Sequence, residues 1–336
     1  MVLILSNENE PTTDYVLEWL LHFNVVFLRL TDKDAITLHN LVIENKGKPD
    51  FLIKIEGKGE IKFSDITAYW YRRGYFNLCL NSINEFREKK LNSIFFNYSI
   101  QEREALTSFV NFLLLYKKSI GSFNHNFTNK LVNLTLASSV GLTIPDTFIS
   151  SSSKELKDYC NSKQAITKAI NIIRSFNYKN DFYNTFTSNF TEADINDKYE
   201  IFFPTLLQEK IDKKIELRIF FLNSKFYTEA IFSQQDQATS TDFRNYNVER
   251  PNRTIPYALP LDIQKKLLKF FKKTRLNCGS IDMILTPNNE YVFLEVNPIG
   301  QFQQVSYPCN YYLEKKIALT LKNWNNYEEK RNRITS

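Results

Sequence analysis

The sequence predicts a fold that combines α/β and α+β units, and three observations indicate it. The chain begins with alternating strand and helix patterns, from VLILS through the amphipathic PTTDYVLEWLLHF to VVFLRL, which is typical of a parallel sheet covered by helices. Its later part contains strand patterns joined by short polar turns, which are typical of antiparallel hairpins. With 336 residues, the chain exceeds a usual domain of roughly 100–200 residues, so we expect several units.

We divide the chain into three units on this pattern. Residues 1–120 form an N-terminal α/β unit, in which the aromatic strand pattern ITAYWYRRGYF precedes a long helical stripe. Residues 121–203 form a central unit of strands and helices with a polar, hairpin-like end. Residues 204–336 form a C-terminal unit that contains two strand pairs and an amphipathic helix in LPLDIQKKLLKFF.

Local signals predict where several of these elements begin and end. The helix that starts near residue 129 should end at Gly141, because glycine is the usual residue after a helix C-terminus. Ser152, with Glu155 three residues later, predicts a capping box for the next helix. Asn223 and Ser224 separate two strand patterns and predict a two-residue hairpin turn.

Composition and charge narrow the classes of function. Hydrophobic residues make up 43% of the chain, which excludes a disordered protein, and the net charge of +6 is mixed along the chain without a nucleic-acid motif. No apolar run approaches the roughly 20 residues of a membrane span. The four cysteines lack paired spacing, and the start lacks the cationic region of a signal peptide. We therefore expect a cytoplasmic protein that binds neither nucleic acid nor membrane.

The glycines exclude two common ways of binding a nucleotide. Only eight are present and none cluster, whereas phosphate loops of the Walker and dinucleotide kinds need closely spaced glycines. Any nucleotide should therefore be held mainly by side chains and a metal ion.

The segment GSIDMILTPNNEYVFLEVNP predicts a hairpin that carries oxygen ligands. If Thr286 pairs with Tyr291, the ladder brings Asp282 opposite Glu295. Facing carboxylates destabilise a sheet unless a positive charge lies between them. Mg²⁺ prefers hard oxygen donors of this kind, and Asn297 supplies a third. The alternative is that these acids are solvated or form salt bridges.

Strand alternation also predicts which side chains lie behind these ligands. Tyr291 and Phe293 should share the face of the acids. A second set should pack against a helix and hold the ligands rigidly: Met283, Leu285, Leu294 and Val296.

The residues D…FLEVNPIGQF resemble the metal-binding end of ATP-grasp ligases. Together with GQFQQVSYPCNYYLEKKIA, they resemble the peptide maturases of the graspetide, or microviridin-like, group, notably its grasp-with-spasm branch, and this resemblance runs along nearly the whole chain. It implies a three-unit ATP-grasp fold, with ATP between the central and C-terminal units and Mg²⁺ as cofactor. It also implies a precursor peptide with a leader and an acidic, hydroxyl-rich core as partner, and a homodimer as the assembly.

The resemblance assigns nucleotide contacts to positions that match the family's pattern. These are Lys130 in TNKLVNL and Lys168 in ITKAI at the phosphates, Gln208, Glu209 and Ile211 in LLQEKI at the adenine, and Glu216 in KIELRIFF near the ribose or metal. Without the resemblance, the lysines could be solvated and LLQEKI could be an ordinary edge strand.

Four arginines receive roles from the same resemblance. Arg218 and Arg244 are expected near the transferred phosphoryl group, where they would stabilise its charge. Arg72 and Arg73 in YWYRRGYF are expected to recognise substrate carboxylates, although an arginine stacked on a tyrosine would fit as well. The chain departs from many ATP-grasp ligases after Lys168, because AINIIRSFNYKNDF contains no glycine for a flexible phosphate loop.

The implied reaction is a two-step ligation. A peptide carboxylate takes the γ-phosphoryl group of ATP, and a side-chain hydroxyl or amine then displaces phosphate to form an ester or amide crosslink. Two alternatives remain: a ligase that adds free amino acids to a protein or small acid, and a non-catalytic, ATP-dependent peptide-binding module that releases no ADP.

Overall fold

The computed structural model describes residues 1–76, 78–79, 89–123, 129–171, 175–179, 181–185, 187–195, 200–235 and 252–335. The chain divides into two compact units, Met1–Phe127 with Tyr312–Ser336, and Thr128–Tyr311. The helices are α1 (Pro11–His22), α2 (Lys89–Leu114), α3 (Lys130–Ser139), α4 (Ser153–Ser162), α5 (Leu261–Thr274), α6 (Gln303–Ser306) and α7 (Leu313–Thr335). The strands are β1 (Val2–Leu5), β2 (Phe27–Leu30), β3 (Ile36–Val42), β4 (Asp50–Ile55), β5 (Gly59–Lys62), β6 (Ala68–Tyr71), β7 (Lys118–Ile120), β8 (Thr147–Ser152), β9 (Ala165–Thr167), β10 (Ser175–Tyr178), β11 (Asp181–Asn184), β12 (Ser188–Phe190), β13 (Ile201–Glu209), β14 (Ile215–Leu222), β15 (Lys225–Phe232), β16 (Arg253–Tyr257), β17 (Cys278–Leu285) and β18 (Tyr291–Asn297).

The first unit contains the predicted parallel layer. Its strands are ordered β2-β1-β6-β7 and all neighbours are parallel, while β3, β4 and β5 form a separate antiparallel sheet. The helical stripe of the sequence consists of Leu106, Phe109, Val110, Leu113 and Leu114. In α2, Val110, Leu113 and Leu114 are buried as this stripe predicts, but Leu106 is exposed. Helix α7 packs on α1 and β6, so the last helix belongs to this unit.

The second unit contains two large antiparallel sheets and the two-stranded sheet of β10 and β11. One has the order β12-β9-β13-β8, and the other has the order β16-β15-β14-β17-β18. Strand β13 starts at Ile201 and pairs with β8 and β9. The first residues of the expected C-terminal unit, which begins at residue 204, therefore belong to the same sheet as β8 and β9. Asn223 and Ser224 have positive φ angles of 49° and 62°, which is the two-residue hairpin that the sequence predicts.

Helix α5 covers one face of the five-stranded sheet. The four apolar residues of its sequence pattern are all buried: Ile263, Leu267, Phe270 and Phe271. The ring of Phe271 stacks on Phe221 with centroids 3.8 Å apart. Aromatic contacts of this kind and the buried apolar area hold the sheet against the helix.

The predicted helix ends are confirmed with one difference. Helix α3 begins after Asn129, whose side chain accepts the N–H of Leu131, and Gly141 follows it with a φ of 84°. The hydroxyl of Ser152 accepts the N–H of Glu155. The carboxylate of Glu155 instead accepts from the hydroxyl of Ser150 at 2.5 Å, so only half of the capping box forms. Over the described ranges, we find no helix with the length and apolarity that a bilayer crossing needs.

Candidate functional site

The hairpin of β17 and β18 brings Asp282 opposite Glu295, as predicted. Near the turn, however, Tyr291 pairs with Leu285 and not with Thr286. The register shifts by one residue immediately before the acids, which is the pattern of a β-bulge. The bulge therefore aligns the two carboxylates.

The bulge also changes which side chains lie behind the acids. The prediction that Tyr291 and Phe293 share the face of the acids is wrong, because both join the core cluster on the opposite face with Met283 and Val296. The prediction that Leu294 fills that core is also wrong, since Leu294 is not part of this cluster. One extra residue in β18 inverts the alternation on either side of itself.

Four charged residues form a row across the five-stranded sheet. Glu229 on β15 pairs with Arg218 on β14, which pairs with Asp282 on β17, which in turn pairs with Glu295 on β18. Directly opposed residues of neighbouring strands point to the same face. The row therefore lies on the face opposite the aromatic core, and we call it the charged row.

Two basic side chains balance the acids of this row. A terminal nitrogen of Arg218 lies 2.5 and 2.7 Å from the two carboxylate oxygens of Asp282. The Nζ atom of Lys130 lies 3.6 Å from Glu295 and donates to the carbonyl of Ala169 at 3.2 Å. The repulsion between the acids, from which the sequence predicts a metal, is thus offset by these cations. Lys168 follows the end of β9 and is half-buried.

The donor set nevertheless fits Mg²⁺. Asp282 and Glu295 are partly exposed, with side chains 15% and 22% accessible, and carboxylates have several lone pairs to share. The Oδ1 atom of Asn297 accepts the N–H of Ile299 at 3.1 Å and has a second lone pair. No group of three or more His, Cys, Asp or Glu residues is arranged as a metal site in the described part of the chain. Two carboxylates are what Mg²⁺ commonly uses when phosphates and water complete its shell.

The loop after β18 has a conformation that requires the glycine of the sequence NPIG. Gly300 has a φ of 66° and its N–H donates to the carbonyl of Asn297. A Cβ atom at this position would lie 2.8 Å from the ring of Phe220. Phe302 then packs on the same ring, so the turn fixes both Asn297 and the start of α6.

Glu216 lies two residues before Arg218 and is nearly buried. Lys213 donates to its carboxylate at 2.8 Å and Ser233 donates at 2.5 Å. Burial raises the pKa of Glu216, and these donors only partly offset the effect. The side chain is therefore held in place beside the charged row.

The expected adenine-binding residues lie at the end of β13. Gln208 is buried, and its amide donates to the hydroxyl of Thr147 at 2.8 Å. Glu209 is half-buried and its backbone N–H donates to Asp146. Ile211, also half-buried, lies in the short segment that joins the two sheets.

The described residues at the end of the segment without glycine belong to two paired strands. Strands β10 and β11 pair in antiparallel register, and Phe176 stacks on Tyr183 with ring centroids 5.3 Å apart. Both rings are largely exposed. Side-chain stacking thus shapes the region where many ATP-grasp ligases have a glycine-rich loop.

The expected substrate-binding arginines follow β6, which ends at Tyr71. Arg72 is buried and its guanidinium lies 3.0 Å from Glu10. Burial alone would raise the pKa of Glu10, but the charge of Arg72 and hydrogen bonds from neighbouring threonines lower it overall. This ion pair is a structural role for Arg72, while Arg73 is half-buried. Arg244 lies outside the described residues.

Glu229 is the functional candidate that sequence reasoning missed. It is 1% exposed, and burial raises its pKa to about 7 despite a hydrogen bond from Thr254 and the charge of Arg218. The sequence does contain a signal that could have identified Glu229, because this acid lies in the middle of the apolar strand pattern KFYTEAIF and a buried charge needs a partner.

Comparison with solved structures gives the class: the fold is that of the ATP-grasp ligases. Matches to such enzymes cover almost the whole chain. A RiPP-associated ATP-grasp ligase of Chryseobacterium gregarium, in complex with ADP and a leader and core peptide, superposes with a TM-score of 0.77 at 24% identity over 96% of both chains. The macrocyclase MdnC of Microcystis aeruginosa MRC, bound with precursor peptide MdnA, gives 0.73 at 26% identity over 96% of this chain and 99% of that one.

A third structure, the ATP-grasp ligase PsnB with minimal precursor, Mg and ADP, gives a TM-score of 0.66 at 12% identity over 97% and 98% of the chains. No family model and no curated protein sequence matches the chain. The structural neighbours are thus RiPP ATP-grasp ligases, in agreement with the resemblance found in the sequence.

Proposed function

We propose that this chain is an ATP-dependent peptide maturase that forms ester or amide crosslinks between side chains of a ribosomally made precursor peptide. The observation that carries the proposal is the charged row, with Lys130 at one end, in a fold shared over nearly full length with RiPP ligases. ATP and Mg²⁺ are the cofactors, and a leader and core peptide is the partner. A cytoplasmic location, where ATP is available, is part of the proposal.

In the first step, a carboxylate oxygen of the peptide attacks the γ-phosphorus of ATP, and ADP leaves. Arg218 binds the transferred phosphoryl group, and Lys130 and Lys168 bind the other phosphates, because fixed cations stabilise charge that spreads over phosphoryl oxygens. Mg²⁺, when bound by Asp282, Glu295 and Asn297, neutralises phosphate charge. We assign Arg244 to the phosphoryl group as well, on the resemblance alone.

In the second step, a side-chain oxygen or nitrogen attacks the acyl carbon, and inorganic phosphate leaves. The peptide loses one water per crosslink while ATP becomes ADP and phosphate. Gln208, Glu209 and Ile211 hold the adenine, and Glu216 lies near the ribose or metal. Arg73 is the better of the two arginines for binding the peptide, because Arg72 is ion-paired to Glu10.

Mass spectrometry tests this proposal directly. Purified protein is incubated with ATP, Mg²⁺ and the candidate precursors encoded beside its gene, and each crosslink should lower the peptide mass by one water. A mass gain from added free amino acids would instead indicate an amino-acid ligase. Peptide binding without ADP release would indicate a non-catalytic binding module. Either result would overturn the maturase assignment.

A further inference from the structure

A cavity of about 320 Å³ lies at the Glu229 end of the charged row. Its lining includes Thr254 on β16, Gln303 on α6, and Tyr307 and Pro308 after that helix. Helix α6 packs over β14 and β15, the strands that carry Arg218 and Glu229. The cavity, which we call the acceptor cavity, is therefore lined by Glu229, the direct cross-strand neighbour of Arg218, which we assign to the transferred phosphoryl group.

Two residues that line this cavity each carry a buried polar atom without a hydrogen-bond partner among the residues that the structure describes. These atoms are Oε2 of Glu229 and Nε2 of Gln303. The first can only accept a hydrogen bond while the acid is ionised, and the second can only donate one. Buried polar groups nearly always have partners, and a missing partner costs free energy. The cavity is thus complementary to a group that both donates and accepts.

We propose that the acceptor cavity binds the attacking hydroxyl of a Ser or Thr residue of the precursor, so that this chain forms esters in preference to amides. This inference rests on the proposed function. A hydroxyl donates to Glu229 and accepts from Gln303 at the same time. A lysine ammonium has three donors and no acceptor, so it would leave the Gln303 amide without a partner.

Glu229 is also placed to take the proton in the second step. The hydroxyl oxygen attacks the acyl carbon, the bond from that carbon to the phosphate oxygen breaks, and the hydroxyl proton passes to the Glu229 carboxylate. The raised pKa of about 7 suits a base that works near neutral pH. Glu229 and Asp282 lie two strands apart, about 10 Å, which leaves room for an acyl phosphate beside Arg218 between them.

Acceptor preference is measured with the precursor that loses water in the mass assay. Two synthetic versions differ only at the acceptor positions, with Thr in one and Lys in the other. We expect the Thr version to crosslink at least tenfold faster, which corresponds to one hydrogen bond, and its product to open in mild hydroxide as esters do. Equal rates, or a faster Lys version, would overturn the inference.

Glu229→Gln and Gln303→Leu test the two polar atoms, and Glu290→Gln is the matched control because Glu290 is exposed on the turn between β17 and β18. Glu229→Gln should slow crosslinking of the Thr peptide about 100-fold. Trapping of the acyl phosphate with hydroxylamine should continue, because the first step does not use Glu229. Gln303→Leu should remove most of the preference for Thr over Lys, while the control keeps the wild-type rate and preference.

The outcomes separate this inference from the proposed function. If wild-type protein forms no hydroxamate and releases no ADP, the maturase assignment fails and the acceptor cavity loses its role with it. Thermal unfolding shows whether Glu229→Gln is folded. If hydroxamate forms and the folded Glu229→Gln variant crosslinks at the wild-type rate, only the role of the acceptor cavity is refuted.

Discussion

Replacing Arg218 with Met should remove the guanidinium that contacts both oxygens of Asp282, and the consequence should depend on Mg²⁺. The side chains of Arg218 and Asp282 are only 7% and 15% exposed. Breaking a buried pair from one side costs about 3–5 kcal/mol, because the remaining charge stays desolvated. The partial exposure of Asp282 favours the lower figure, about 3 kcal/mol.

This loss should be visible as a lower unfolding temperature. For a unit of 150–250 residues, about 3 kcal/mol corresponds to a decrease of roughly 6–12 °C. Adding Mg²⁺ with ADP should recover more stability in the variant than in the wild type, because the metal then supplies the missing positive charge and binding to the folded state stabilises it. Crosslinking should still fall by a factor of about 100–1,000, since the variant lacks the cation that we assign to the phosphoryl group.

Arg253→Met is the matched control, because Arg253 lies exposed on β16 in the same unit. Thermal unfolding of both variants is measured with and without Mg²⁺ and ADP. The reasoning is refuted if Arg218→Met unfolds at the temperature of the control, or if Mg²⁺ stabilises it no more than it stabilises the wild type.

Two further predictions concern stability and the shape of the site. Glu10→Gln should destabilise the protein by about 3 kcal/mol at pH 7, since the buried Arg72 loses its partner, and urea unfolding measures this. The pKa of Glu10 in the fold is below its usual 4.5, so the wild type should lose this stability as the pH falls below 4.5. The variant should not show this loss. Parallel curves of unfolding free energy against pH for the two proteins would contradict the ion pair. Gly300→Ala should cost about 1–3 kcal/mol, because its Cβ would meet Phe220 at a positive φ, and unchanged unfolding and crosslinking would show that this turn tolerates a side chain.

Regular patterns in the sequence predicted regular parts of the fold. The apolar spacing of α5, the turn at Asn223 and Ser224 and the glycine after α3 all rest on local rules, and the structure bears them out. The pairing of Asp282 with Glu295 was also predicted, although by a uniform ladder that the structure does not contain.

The features of the fold and site that were not predicted depend on contacts between residues that are far apart in the sequence or on different strands. A bulge places two residues of one strand opposite one residue of its partner. The faces of the sheet on which Phe293 and Leu294 lie could therefore not be assigned without the pairing of both strands. The partners of Arg72 and Glu295 lie 62 and 165 residues away in the sequence, at Glu10 and Lys130. Long-range charge pairs of this kind follow from tertiary packing, which also determines the burial of Glu229.

The dependence of ADP binding on Mg²⁺ tests the central claim most directly. Calorimetric titration of ADP into wild-type protein should show at least tenfold tighter binding with Mg²⁺ than without it, because we propose that Asp282, Glu295 and Asn297 would hold the ion. In folded Glu295→Gln, the affinity with Mg²⁺ should fall close to the affinity without it, and Glu290→Gln should behave as wild type. A Glu295→Gln variant that keeps the full Mg²⁺ dependence would contradict the account.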